Sequence, residues 1–117
     1  MMKIDTKFES SILLLITDLT EKFLKESVNY PKFHKYTLVQ TINNSINNLR
    51  ILIIKALRID KKLTALREAD IEIENLKILI RVSYNLKCIG ENQYGFWAEN
   101  LVELGKMIGG WKKKEIN

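Results

Sequence analysis

The stretch GENQYGFWAENLVELGKMIGGWKKK, residues 90–114, carries apolar side chains at Tyr94, Trp97, Leu101, Leu104, Ile108 and Trp111. Those steps of three and four are the seam of a helix packed against other helices, not of a helix lying on a sheet. Gly95, Gly105, Gly109 and Gly110 interrupt it, and each costs a helix interior about 1 kcal/mol relative to alanine. Gly105 and Gly109 stand one turn apart on the side of Ala98 and Val102, a spacing that lets two backbones approach. The stripe reads first as a packing face, and Trp111 is expected to be buried over the approach that Gly109 and Gly110 allow.

Working outward, the preceding segment repeats the pattern at Leu66, Ala69, Ile73, Leu76, Ile80 and Ser83. Its acids (Glu68, Asp70, Glu72, Glu74) crowd the N-terminal half and Lys77, Arg81 and Lys87 the other, the ordinary complement to a helix dipole. Gly90 has the type of a helix-stop residue and Asn92 that of a cap. Arg58 to Lys62 is the expected loop before it, with Asp60 or Thr64 as cap. The second helix has its core at Leu38, Ile42, Ile46, Leu49, Ile53 and Ala56, opened by Thr37-Leu38-Val39-Gln40 as a capping box. The first has Phe8, Ile12, Leu15, Leu19 and Phe23, opened by the box Thr6 to Glu9 and ended before Pro31. Leu13, Leu14, Ile16, Leu24 and Val28 widen its apolar arc beyond one bundle face. The expected architecture is all-α: one domain over residues 1–117, an up-down-up-down four-helix bundle with helices near 6–28, 37–58, 62–89 and 92–113.

Composition agrees. With 46% hydrophobic and 28% charged residues the chain is globular, and 117 residues bury about two-thirds of the unfolded surface. One proline, and no glycine before Gly90, exclude a many-stranded β fold. The lone Cys88 falls in the helical pattern, has no disulfide partner and reads as a small core residue, which points to a reduced, cytoplasmic setting. The run Ile12 to Ile16 is too short for a signal or a membrane span.

Catalytic chemistry finds little to work with. The single His34 has no ligand at metal spacing, and no nucleophile triad, phosphate loop or carboxylate pair can be assembled, so neither metal nor cofactor is expected. Charge says more. The net charge of +5 is concentrated: residues 31–67 carry eight basic groups and one acid, whereas 68–105 carry three and seven. A concentrated excess argues for a polyanionic partner. On the second helix the face away from the core collects Asn43, Asn44, Asn47, Asn48, Arg50, Lys55 and Arg58 with Ile51 and Ile54, and no acid, the look of a contact surface. The connector NYPKFHKY, residues 29–36, interleaves Lys32 and Lys35 with Tyr30, Phe33 and Tyr36. Such a segment can stack bases and neutralise phosphates; plugging the end of a bundle is the commoner role.

The segments YPKFHKYTLVQTI (30–42) and LKILIRVSYNLKCIGENQYGFWAENLVELGKMIGGWKK (76–113) resemble Avd, the accessory protein of diversity-generating retroelements. Avd belongs to a four-helix-bundle group that also includes proteins encoded in ribosomal-RNA intervening sequences. The resemblance implies a basic homopentameric barrel. It also implies a non-catalytic role: binding the retroelement reverse transcriptase and its template RNA to support mutagenic cDNA synthesis. On charge and face, the expected RNA- or DNA-binding residues are Lys32, Lys35, Arg50, Lys55, Arg58, Lys61, Lys62, Arg67, Lys112, Lys113 and Lys114. In an up-down-up-down bundle the second loop and the C-terminal lysines meet at one rim, although those three lysines alone read as a solvated tail. Leu13, Ile16, Ile51 and Ile54 are the expected oligomer interface. The competing class is a structural adaptor oligomer that binds protein partners through the Asn/Ile face, without a reverse transcriptase.

Overall fold

The computed structural model describes residues 6–116. Four helices make up most of it: α1 (Thr6–Ser27), α2 (Gln40–Arg58), α3 (Leu63–Asn85) and α4 (Glu91–Ile116). No strand occurs among the described residues. Successive helices run antiparallel, α1 closes the circuit against α4, and the elongated body measures 47 × 24 × 19 Å.

The three-four seams lie where the periodicity puts them. Trp97, Leu101, Leu104, Ile108 and Trp111 of α4 are buried, with all six seam residues of α3 and Ile42, Ile46, Leu49, Ile53 and Ala56 of α2. Tyr94 and Leu38 are half-buried at its edge. On α1 the buried positions are Ile12, Ile16, Leu19 and Phe23. Ile16, expected at an oligomer interface, is therefore core; the stripe runs through Ile16, and Leu15 sits at its margin. Small residues (Ser45, Ala56, Ala65, Ala69, Ser83) bring α3 close to its neighbours, because backbone separation follows the side chains between. Large rings hold α1 further out. Phe23 meets Trp97 edge-on at 6.2 Å near one end, and Phe8 meets Trp111 at 5.2 Å near the other.

Helix ends depart most from the sequence reading. Pro31, extended at φ −54° and ψ 143°, caps a 3₁₀ turn at Lys32–His34, which passes into a π-helical turn at Lys35–Val39 and then α2. The chain is already helical at Thr37, so no capping box forms; Thr37 Oγ1 lies 3.4 Å from the His34 carbonyl. At the start of α1, Glu9 is held by Arg58 at 3.0 Å. Neither Asp60 nor Thr64 caps α3, whose cap position is Lys62. Gly90 is not the stop residue of α3. Lys87 is, at φ 62°, with Lys87 N–H donating to Tyr84 O (3.0 Å) and Cys88 N–H to Ser83 O (2.8 Å), a complete Schellman pair. Cys88 accordingly sits in a turn, half-buried, outside any helix. The expected close approach at the glycines is also absent among the described residues: a methyl group on Gly95, Gly105, Gly109 or Gly110 would meet nothing within 4 Å beyond its own helix backbone. Trp111 covers Phe8 instead.

A left-handed lysine carries the steric cost that glycine avoids, about 1 kcal/mol or more. Lys87→Gly should therefore raise stability by about 1 kcal/mol in urea unfolding. A fall would show that the lysine side chain contributes something the backbone geometry does not explain.

Candidate nucleic-acid interface

The antiparallel order puts the α2–α3 linker (59–62) and the last turn of α4 at one end of the body. There Glu115 lines the same shallow depression as Asp60, Lys61, Lys62, Leu63 and Thr64. Arg58, Lys61, Arg67, Lys113 and Lys114 are exposed at this end, and Lys112 is half-buried. The three terminal lysines belong to α4 and are not a disordered tail.

Several of these charges have internal partners that sequence counting cannot reveal. Lys62 is 5% exposed, and its Nζ donates to the carbonyls of Ala56 (2.6 Å) and Ile59 (2.8 Å). It satisfies the open C-terminal carbonyls of α2, where neither glycine nor proline ends the helix. Its ammonium is occupied inside the fold, so Lys62 leaves the set of presented cations. Lys112 is paired with Asp70 of α3. Arg58 is bonded to Glu9 but still well exposed, and an exposed pair of that kind binds weakly enough to exchange for a phosphate. Among the described residues, the remaining unengaged cations at this end are Lys61, Arg67, Lys113 and Lys114, opposed by Asp60 and Glu115.

The middle of the body is less basic than the α2 sequence implies. Arg50 donates to Asn47 Oδ1 (2.5 Å) and Thr20 Oγ1 (3.3 Å). Lys55 shares a groove with Glu68 and Glu72 of α3, together with Ile51 and Ile71. The face of α2 itself has no acid, but α3 sets Glu68 and Glu72 beside it, and α1 sets Glu9 against its last residue, Arg58. Ile51 and Ile54 are each 44% exposed, and Leu13 is half-buried against the core.

Lys32 and Lys35 lie at the opposite end, with the α1–α2 connector. That connector divides its aromatics. Tyr30 is buried against Phe23 at 5.7 Å and does plug the bundle. Phe33 and Tyr36 are 77% and 83% exposed. Burial pushes the Tyr30 phenol up to about 12, offset in part by the neighbouring Ser83 hydroxyl, yet among the described residues no hydrogen bond of proper geometry reaches Tyr30 Oη.

One buried acid escaped the sequence reading. Glu26 accepts hydrogen bonds from Trp97 Nε1 (2.6 Å) and Gln93 Nε2 (3.1 Å), with Lys22 Nζ 3.7 Å away. Its signal was available. Ile12, Ile16, Leu19, Phe23 and Glu26 step by four, three, four and three, which places the carboxylate on the core stripe.

These features define an antiparallel four-helix protein with cations gathered at both ends. A family model described as bAvd-like matches residues 10–115, and the chain belongs to that family, the accessory variability determinant (Avd) proteins, which are accessory and non-catalytic. No curated protein and no solved structure gives a significant match. No described helix is long and apolar enough to cross a membrane.

If Lys62 closes α2 from within, Lys62→Met should cost about 1–3 kcal/mol in urea unfolding, the usual penalty for orphaning buried carbonyls. The salt dependence of any nucleic-acid binding should be unchanged. A variant as stable as the parent would return Lys62 to the surface cations.

Proposed function

We propose that this chain is a non-catalytic accessory protein that associates with a retroelement reverse transcriptase and its template RNA and supports mutagenic cDNA synthesis. Membership of the Avd family carries the reading. Its RNA half is supported by the end that carries Lys61, Arg67, Lys113 and Lys114, which have no ion pairs of their own among the described residues. Cations that contact phosphates release counterions, so binding weakens with salt by a log-log slope of about −0.7 to −0.9 per phosphate. The combined change Lys61→Glu, Lys113→Glu and Lys114→Glu should weaken binding of structured RNA and flatten that slope, with helical content intact. Parental affinity and slope would exclude this rim as the docking site. Failure of the parent to bind both RNA and any reverse transcriptase encoded beside it would overturn the function itself.

The reading includes assembly. Ile51, Ile54, Ile71 and Ile78 are exposed on α2 and α3, Leu14 and Leu24 on α1, and Val28 just beyond it, apolar side chains that contact between copies would cover. A closed cyclic homo-oligomer, of five subunits by family resemblance, would cover them and repeat the cationic rim around one mouth. Light scattering at micromolar concentration should return a multiple of the 13.7 kDa chain; a monomer would overturn the assembly.

A further inference from the structure

The cationic rim leaves the other end of the body unexplained. There the connector presents Phe33 and Tyr36 almost fully to solvent, three residues apart on adjoining 3₁₀ and π-helical turns. Residues at that spacing share a helix face. The segment is anchored: Tyr30 is buried at its base, His34 N–H donates to Pro31 O (2.9 Å), and Lys35 Nζ donates to Val28 O (3.0 Å). The His34 imidazole lies against Phe33, ring centroids 4.4 Å apart. Lys32 is exposed beside them, and no acid occurs in the sequence from Ser27 through Ile59. A π-helical turn is rare and recurs at functional sites.

Single exposed apolar side chains need no explanation. Two aromatic rings held open one turn apart, with a cation beside them and no acid in their own segment, do. An aromatic face receives a nucleobase from any sequence, and adjacent cations receive the phosphate. Paired bases offer no free face, so the strand must be unpaired. We infer that the Phe33–Tyr36 ledge is a stacking platform for an unpaired stretch of RNA, distinct from the cationic rim at the far end. The inference rests on the proposed function for its choice of RNA. A protein partner would be expected to bring acidic groups for Lys32 and aliphatic ones for the rings; it is the alternative that the test separates.

The test uses the full chain and a fluorescein-labelled oligouridylate, with a blunt RNA duplex and an oligothymidylate as comparisons. Fluorescence anisotropy of the parent should show binding to the single-stranded RNA. Phe33→Ala with Tyr36→Ala should weaken it about 5- to 150-fold per stacked base lost, leave duplex binding unchanged, and leave the salt slope unchanged because no phosphate contact is removed. Phe33→Trp with Tyr36→Trp should restore affinity, whereas Phe33→Leu with Tyr36→Leu should not. All these side chains are exposed, so each variant keeps the fold, checked by circular dichroism. Parental affinity in the Ala variant, or rescue by Leu, would overturn the platform while the rim and the proposed function stand. Equal binding of the oligothymidylate would overturn the choice of RNA. Loss of binding in the rim variant alone would assign all RNA contact to the rim and overturn the ledge. No binding of any nucleic acid by the parent would overturn both.

Discussion

The closure of the bundle depends on two tryptophans near opposite ends of α4. α3 lies close to both α2 and α4, and small residues line that approach. α1 does not approach closely, and its attachment rests on large rings: Phe8 against Trp111 and Phe23 against Trp97. Edge-to-face pairs at these distances add about 0.5–1.5 kcal/mol each beyond the area they bury. The Trp97 indole is further fixed by Glu26, whose carboxylate has its second oxygen on Gln93. Removing either partner would strand a buried polar group, the costlier half of any hydrogen bond. The position of α1 in turn sets where Glu9 meets Arg58 and where Tyr30 enters the core, so both ends of the molecule inherit their geometry from these two contacts.

Periodicity made the seams of α2, α3 and α4 legible almost residue by residue, because a helix buried on one stripe must repeat its apolar positions at three and four. On α1, with apolar residues on most of its circumference, periodicity did not discriminate, and Ile16 was read as outward. Helix ends were less legible for a different reason. Caps read from sequence assume that short local signals decide where a helix begins or stops. Here the long-range environment overrides them. Lys62 reaches back to the carbonyls of α2, Lys87 adopts the conformation that Gly90 was expected to take, and the connector after Pro31 enters a helix several residues early. At Lys87 a side-chain-bearing residue takes the left-handed position that glycine usually fills, and at Lys62 the donor lies beyond the end of the helix it closes.

The candidate site shows the limit of counting charges. Eight cations between residues 31 and 67 looked like one basic surface. Folding distributes them over both ends and the middle, and sets Glu9 of α1 against Arg58 and Glu68 and Glu72 of α3 beside Lys55. Only Lys62 is removed outright, since its burial leaves no route to a phosphate. For the others the effect is one of degree: an exposed pair such as Arg58–Glu9 is held by about 1 kcal/mol or less, which a strongly charged partner can exceed. A local excess counted along the chain is therefore a poor guide to where the folded protein presents its cations.

Separation of the two ends has a further consequence. The body is 47 Å long, several times the roughly 8 Å screening length at physiological salt. Charges at the rim therefore do not act on a strand at the ledge, and changes at the two ends should add. Coupling between them can come only from the nucleic acid. On the proposed reading, a template bound at both ends holds its second segment at a high effective concentration near its site. Overall affinity then exceeds that of either end without any new contact. A ring would multiply this, because a strand leaving one ledge meets a neighbouring subunit's rim as readily as its own. On that reading the ends also differ in what they select. Phosphate contact accepts any strand, whereas stacking requires unpaired bases, so the ledge, not the rim, is where a preference for template structure can arise.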